Sequence, residues 1–298
     1  MPAYPHAPSL PIDPAVPLRL AASLRATFTA AVVGLAALVA LPASAQVRYP
    51  EGIGFYVGVD GLGTLSTGTY AGLPNPNGGR LTLLLDHGNH YHGIGSFRYT
   101  GPAASPTIVT GNNRIPEGAR PALPVFTGSG IYGGRWVSGV SNDPVLGEYS
   151  YLGMASTQSL PAFGAPGVLL FGSSAGRWDD ALGAGNGIPV GLELLSATPG
   201  LLVGNATDTN LFDSGNVISL GFGNTLEFLP VYSIDGQAAA GIYSAEFRLV
   251  DLSGQRVFGD SGNFRFDFAV VPVPVPGSLA LLLPGLAALG LAVRRRRA

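Results

Sequence analysis

Glycine and proline, with 44 and 25 copies, make up almost a quarter of the 298 residues in this chain. They are the two residues that least favour a helix interior, because proline lacks the amide hydrogen and glycine loses the most backbone entropy. A chain in which glycine and proline are this frequent is not expected to form long helices or coiled coils. Short strands joined by turns remain, and the chain is long enough for them to bury a substantial core.

The charged residues exclude two further classes of protein. They make up only 11% of the chain, the basic ones are all arginine, and the formal net charge is -2. A nucleic-acid-binding protein needs a basic surplus to neutralise phosphates, so we expect no nucleic-acid partner. The chain also has no cysteine, which excludes disulfides, thiolate zinc sites and thiol nucleophiles.

Residues 1–45 are typical of a signal peptide. A positive start, an apolar stretch and small residues at a cleavage site follow one another as Arg19, Arg25, residues 28–41, Ala43 and Ala45. We expect the export machinery and signal peptidase to release a mature chain that begins at Gln46. The proline-rich stretch before about residue 18 is unusual ahead of such a signal and suggests a later translation start.

Residues 271–298 combine a proline-rich spacer, an apolar segment and an arginine cluster. The defining positions are Pro274, Val275 and Pro276, the apolar residues 279–293, and Arg294, Arg295, Arg296 and Arg297. As a helix the apolar segment is about 22 Å long, which is marginal for a membrane span. The arginines act as a stop-transfer signal that stays on the cytoplasmic side.

This C-terminal arrangement resembles the PEP-CTERM sorting signal, in which a Pro-Glu-Pro motif precedes a membrane segment and an arginine cluster. The resemblance implies a transmembrane sorting helix that an exosortase-type membrane protease recognises and removes. The protein is then expected to be exported, anchored in the membrane, and released to the cell surface or extracellular matrix if processed. Val275 stands where the family usually has glutamate, which puts processing in question but leaves the anchor intact.

Residues 46–270, between these two signals, carry dense strand patterns. Alternating apolar and polar positions occur in residues 54–59, 80–85, 241–250 and 264–268. In the last of these, three phenylalanines face one way and the polar residues face the other, which predicts a half-buried strand. Turn-forming residues separate the runs. We expect an all-β ectodomain with an antiparallel β-sandwich or jelly-roll-like fold.

Every histidine of the mature domain lies in one short stretch, as His87, His90 and His92. Since a core histidine is usually single, this concentration indicates a metal site. His90 and His92 share a strand face, and the Gly88-Asn89 pair can bend the backbone and bring His87 round to them. Asp86 can serve as a fourth ligand or hold one imidazole in place. Such ligands suit zinc, with other divalent transition metals as alternatives, while a solvated loop without metal stays open.

The histidine segment resembles a second, narrower family. Residues 80–99, with residues 112–117 downstream, are similar to PEP-CTERM proteins whose genes are repressed by the zinc-uptake regulator. The resemblance implies a protein made under zinc starvation that binds zinc at the surface. It carries over His87, His90 and His92, and the Asn-His-x-His-Gly core at Asn89 matches best.

An enzymatic function has one candidate motif, the Gly-x-Ser-x-Gly pattern at residues 172–176. A nucleophile elbow requires a helix after the serine and a histidine later in the chain. No histidine follows His92, so the motif lacks its catalytic partner. We therefore expect a non-enzymatic zinc-binding surface protein with a role in zinc limitation. Two alternatives stay open: a structural matrix or surface protein that contacts protein or extracellular polysaccharide without metal, and a zinc-dependent hydrolase that uses the same histidines.

Overall fold

The computed structural model describes residues 52–160, 170–171, 177–179, 181–183, 185 and 187–271. The predicted signal peptide with its cleavage site, the sorting tail beyond Val271 and the motif at residues 172–176 lie outside these residues. Within the described ranges, no helix has the length and apolar character needed to cross a membrane.

The described residues form β-strands and short 3-10 helices, so the predicted all-β class is confirmed. The strands are β1 (Ile53–Asp60), β2 (Leu81–Asp86), β3 (Tyr91–Ile94), β4 (Phe97–Thr100), β5 (Thr107–Thr110), β6 (Arg114–Ile115), β7 (Leu123–Thr127), β8 (Arg135–Ser138), β9 (Gly153–Ser156), β10 (Trp178–Asp179), β11 (Pro189–Ala197), β12 (Leu201–Gly204), β13 (Val217–Phe222), β14 (Glu227–Phe228), β15 (Val231–Asp235), β16 (Gly241–Asp251) and β17 (Phe264–Val270). The 3-10 helices are Gly130–Tyr132, Gly147–Ser150, Thr157–Ser159 and Ala181–Gly183.

The strands build two main sheets and one separate hairpin. The smaller sheet has the order β14-β9-β1-β2-β3, with β10 also paired to β1. The larger sheet has the order β12-β15-β8-β7-β17-β16-β11-β13, with β6 also paired to β17, while β4 and β5 pair only with each other. The histidine segment therefore lies at one edge of the smaller sheet.

Among the strands of the described residues, most neighbours are antiparallel, but three pairs are parallel. These are β1 with β9, and β17 with both β6 and β7. The prediction of antiparallel sheets is wrong at these pairs. Parallel neighbours are joined by long connections, and a local alternation pattern carries no information about which distant strand will lie alongside.

The inner faces of the two sheets share one hydrophobic core. Phe55 of β1 meets Phe266 of β17 edge to face, with ring centres 5.4 Å apart. The apolar alternation in β2 supplies Leu81, Leu83 and Leu85 to the same core. The next residue on the same side after Leu85 is His87. The strand that contributes these leucines to the core therefore also places His87 at the edge of the core.

The phenylalanine face of β17 is fully buried as predicted, but its other face is not simply exposed. Asp267 on that face is also buried. Its Oδ2 lies 2.7 Å from Nε of Arg114, and its Oδ1 accepts a hydrogen bond from the hydroxyl of Ser244 at 2.7 Å. Buried carboxylates need such partners, and this pair fixes β6 against β17.

Candidate metal site

A tight hairpin between β2 and β3 positions the histidines. The amide of His87 donates a hydrogen bond to the carbonyl of His90 at 3.0 Å, so Gly88 and Asn89 form a two-residue loop. Gly88 has a φ of +79°, a left-handed value that favours glycine at the first position of such a loop. The predicted bend at this pair is confirmed, and it places His87 directly opposite His90.

The three histidines lie on one face of the hairpin, because His92 is two residues beyond His90 on the same strand. One ring nitrogen from each lies within 4.8 Å of the other two. Nε2 of His90 and Nε2 of His92 are 3.0 Å apart, and the rings of His87 and His90 are stacked with centres 4.8 Å apart. The predicted grouping of three potential metal ligands is confirmed.

Asp86 does not belong to this group. As the neighbour of His87 in β2, it directs its carboxylate towards Tyr91, whose ring packs with Tyr56 on the opposite face of the sheet. Its Oδ1 accepts from the amide of Gly88 at 2.6 Å and its Oδ2 accepts from the hydroxyl of Tyr91 at 3.2 Å. Asp86 was predicted to be a metal ligand or to hold one imidazole in place. In the structure its carboxylate instead stabilises the loop from the opposite face of the sheet.

Glu117 is the carboxylate that faces the histidines. Its Oε2 lies 2.9 Å from Nε2 of His87, and its Oε1 lies 3.0 Å from Nδ1 of His92. The amide of Asn112 and the hydroxyl of Tyr149 also donate to it. Burial raises the pKa of Glu117, but the hydrogen bonds and charges of these neighbours, above all His92, outweigh burial and hold the pKa below its usual value.

The loop that carries Glu117 is fixed by Arg114. Nη1 of this arginine donates to the carbonyls of Pro116, Gly118 and Arg120 at 2.7, 3.0 and 2.8 Å. Its Nε is held by the buried Asp267, as described above. The loop after β6 is therefore tied to the larger sheet, while the histidines come from the smaller sheet, and the site joins the two.

The 3-10 helix Gly147–Ser150 supplies a second carboxylate and an aromatic wall. Oε2 of Glu148 lies 3.0 Å from Nδ1 of His87, and the buried ring of Tyr149 stands edge to face against His87 with centres 5.8 Å apart. Burial, followed by the negative charges of Glu117 and Glu148, raises the pKa of Tyr149. The hydroxyl therefore keeps its proton and acts as a donor to Glu117.

His87 differs from the other two histidines because both of its ring nitrogens contact a carboxylate. An imidazole can donate from both nitrogens only when it is protonated. If a metal takes one nitrogen, the other still donates to one carboxylate, and the second carboxylate is released. Metal binding at His87 therefore requires Glu117 or Glu148 to change its partner.

His90 and His92 are arranged to offer their Nε2 atoms. Nδ1 of His90 faces the side-chain oxygen of Asn89, and Nδ1 of His92 faces Glu117. Metal-binding histidines usually donate the second ring N–H to such an acceptor, which fixes the tautomer and the ring orientation. Two nitrogens bound to tetrahedral zinc at about 2.0–2.1 Å lie about 3.3 Å apart. The 3.0 Å between the two Nε2 atoms is close to this value, so this pair of residues could hold a metal ion.

A cavity of about 590 Å³ opens beside the histidines. Besides the three imidazoles, its walls include Asn89, Asn112, Glu117, Gly118, Arg120, Glu148 and Tyr149. The potential ligands therefore face a polar space and not the packed core.

Sequence reasoning missed both glutamates of the site. Glu117 is the last residue of the segment 112–117, on which the resemblance described above partly depends. The association of this segment with the histidine segment was therefore a signal that pointed to Glu117. Glu148 carries no local signal, since nothing in its neighbours distinguishes it from the other acidic residues. Glu117 and Glu148 are separated from His87 by 30 and 61 residues in the sequence, and only the folding of the chain brings them into contact with it.

The comparisons with known proteins leave the geometry as the main guide to function. No protein-family model, curated protein or solved structure matches this chain. The three imidazoles and the two carboxylates beside them are therefore the features that indicate a function.

Proposed function

We propose that this chain is an exported protein of the cell surface that binds zinc through His87, His90 and His92 and acts in zinc limitation. The observation that carries the zinc site is the approach of three imidazole nitrogens to within 4.8 Å at the tip of one hairpin. Glu117 supports it by holding His92 in an orientation that leaves Nε2 available. Other divalent transition metals with the same ligand preference are competitors for the site.

Zinc uptake would proceed by exchange of protons for the metal ion. Only the unprotonated ring nitrogen of an imidazole can bind the ion, so protons compete with the metal and the affinity falls as the pH is lowered. Residues 46–270 hold ten arginines against seventeen acidic residues, a formal charge of -7. This negative charge raises the local concentration of cations around the site.

Export and sorting are proposed from the sequence. The signal at residues 1–45 and the PEP-CTERM-like tail at residues 271–298 support export, anchoring by the C-terminal helix and recognition by an exosortase-type protease. The two sheets that share one core support a β-sandwich as the scaffold between them. On this scaffold the metal site occupies the rim of the core.

The zinc site is tested by calorimetric titration of the full-length chain, purified without a histidine tag. We expect one zinc ion to bind per chain, with binding lost in the His90→Ala, His92→Ala double variant because two of three ligands are removed. Asp86→Asn is the matched control. It removes a charge next to the histidines and keeps an oxygen that can accept from Gly88, so its zinc affinity should stay close to wild type.

Two results would contradict the proposal. Negligible heat in the wild type would remove the metal role and leave the structural surface protein as the better interpretation. Equal zinc binding in the double variant would show that zinc binds elsewhere. A large loss of zinc affinity in Asp86→Asn would support the sequence-based prediction that this carboxylate is a ligand.

A further inference from the structure

The cavity beside the histidines has a cationic wall formed by Arg120. Nη1 of this arginine donates to the backbone carbonyl of Glu117 at 3.2 Å. Its guanidinium carbon lies 5.1 Å from the centre of the Tyr149 ring, in a cation–π contact. These two contacts place the guanidinium at the wall of the cavity that the three histidines also line.

This guanidinium has no acidic side chain as a partner in the described part of the chain. The arginines that form ion pairs there are Arg114, Arg177, Arg248, Arg256 and Arg265, and Arg120 is not among them. An arginine has five N–H donors in a planar fork that matches a carboxylate. Arg120 is exposed, so its remaining donors are available to a molecule that enters the cavity.

The charge of the cavity changes sign when a metal binds. With neutral imidazoles, Glu117 and Glu148 outweigh Arg120 by one negative charge, which disfavours an anion. A divalent ion reverses this balance to one positive charge. The volume of about 590 Å³ is also far larger than an ion needs, and it lies within the range of about 300–1,000 Å³ typical of small-molecule sites.

We propose that the zinc-loaded cavity binds a small polycarboxylate that bridges the metal and Arg120, so that the protein takes up zinc as a chelate. This inference rests on the proposed zinc site. One carboxylate oxygen would fill the coordination position that three imidazoles leave open, since carboxylate oxygens are good zinc ligands. A second carboxylate of the same molecule would accept paired hydrogen bonds from the Arg120 guanidinium.

The test is equilibrium dialysis of the full-length chain against radiolabelled citrate, with and without one equivalent of zinc. We expect one citrate to be retained per chain only when zinc is present. Arg120→Gln should weaken citrate binding about tenfold or more, because it removes charge-assisted hydrogen bonds. Its zinc affinity without citrate should be unchanged or slightly higher, since a positive charge next to the cation is removed. Arg98→Gln, an exposed arginine of β4 outside the cavity, is the control and should behave as wild type.

The outcomes separate this inference from the zinc site itself. If zinc binds without citrate but citrate merely strips it, or if Arg120→Gln retains citrate as well as wild type, the polycarboxylate site is wrong and the zinc site stands. Retention of inorganic phosphate in place of citrate would also overturn the assignment to carboxylates. Absence of zinc binding in the wild type overturns both proposals. A fall in zinc affinity of Arg120→Gln without citrate would show a structural role for this arginine instead.

Discussion

Glu117 accepts hydrogen bonds from two imidazoles, an amide and a hydroxyl while it is nearly fully buried. Burying a carboxylate is costly unless donors surround it, and this residue has four. The same contacts set the direction in which His92 presents Nε2. A single carboxylate thus supports both the rim of the core and the orientation of the proposed ligands.

Replacing Glu117 with glutamine should weaken zinc binding about 10- to 100-fold, the usual effect of removing the acceptor behind a ligating histidine. The glutamine amide places donors against imidazole N–H groups where an acceptor is needed. Calorimetric titration with zinc measures the effect, with circular dichroism to verify the fold. Glu227→Gln, an exposed residue of β14, removes the same charge outside the cavity and should retain the wild-type affinity. Equal affinity in both variants would show that Glu117 does not orient a ligand.

The connection between β16 and β17 depends on Asp251 at the end of β16. This buried carboxylate accepts from the amides of Ser253 and Phe258 at 2.7 and 2.9 Å. Burial raises the pKa of Asp251, but the hydrogen bonds from these residues outweigh it and hold the pKa below the usual 3.8. A lowered pKa means that the ionised form stabilises the fold above the unfolded-state value, and that this contribution is lost as the pH falls through the folded-state value.

Asp251→Asn should therefore lower the free energy of unfolding by about 1–3 kcal/mol at pH 7, because one buried hydrogen bond to a charge is lost. The difference in the free energy of unfolding between the variant and the wild type should become smaller as the pH falls below 3.8. Urea denaturation across this pH range measures it, on metal-free protein. Asp235→Asn, at the exposed end of β15, is the control. A difference that stays constant with pH would assign the effect to packing and not to charge.

The strands and the histidine face were predictable because both depend on local alternation. The patterns at residues 54–59 and 241–250 correspond to β1 and β16, and the two-residue spacing of His90 and His92 puts them on one face. Parallel pairing of β1 with β9 and the approach of Glu117 and Glu148 depend on contacts between distant segments, which alternation does not encode. Asp86 illustrates a different error: proximity in sequence suggested a ligand, whereas strand parity turns it to the other face.

At the scale of the whole molecule, zinc should stabilise the domain because it binds the folded arrangement of histidines and not the unfolded chain. At a free zinc concentration about 100 times the dissociation constant, the gain is about 2.7 kcal/mol. For a domain of this size, the melting temperature should rise by about 5–10 °C. Scanning calorimetry with zinc and with a chelator measures the shift. The His90→Ala, His92→Ala variant should show none, and an equal shift in that variant would indicate non-specific binding.

The origin of the site in two sheets has a consequence for the lifetime of the protein. The chain has no cysteine, so no covalent bond can staple the histidine hairpin to the loop after β6. Bound zinc would cross-link the three histidines of the hairpin, and would hold the loop after β6 only indirectly, through the hydrogen bonds that His87 and His92 make with Glu117. Proteases attack the transiently opened form, so the metal-free protein should be the shorter-lived one outside the cell. The abundance of such a protein would then record how much zinc its surroundings have supplied.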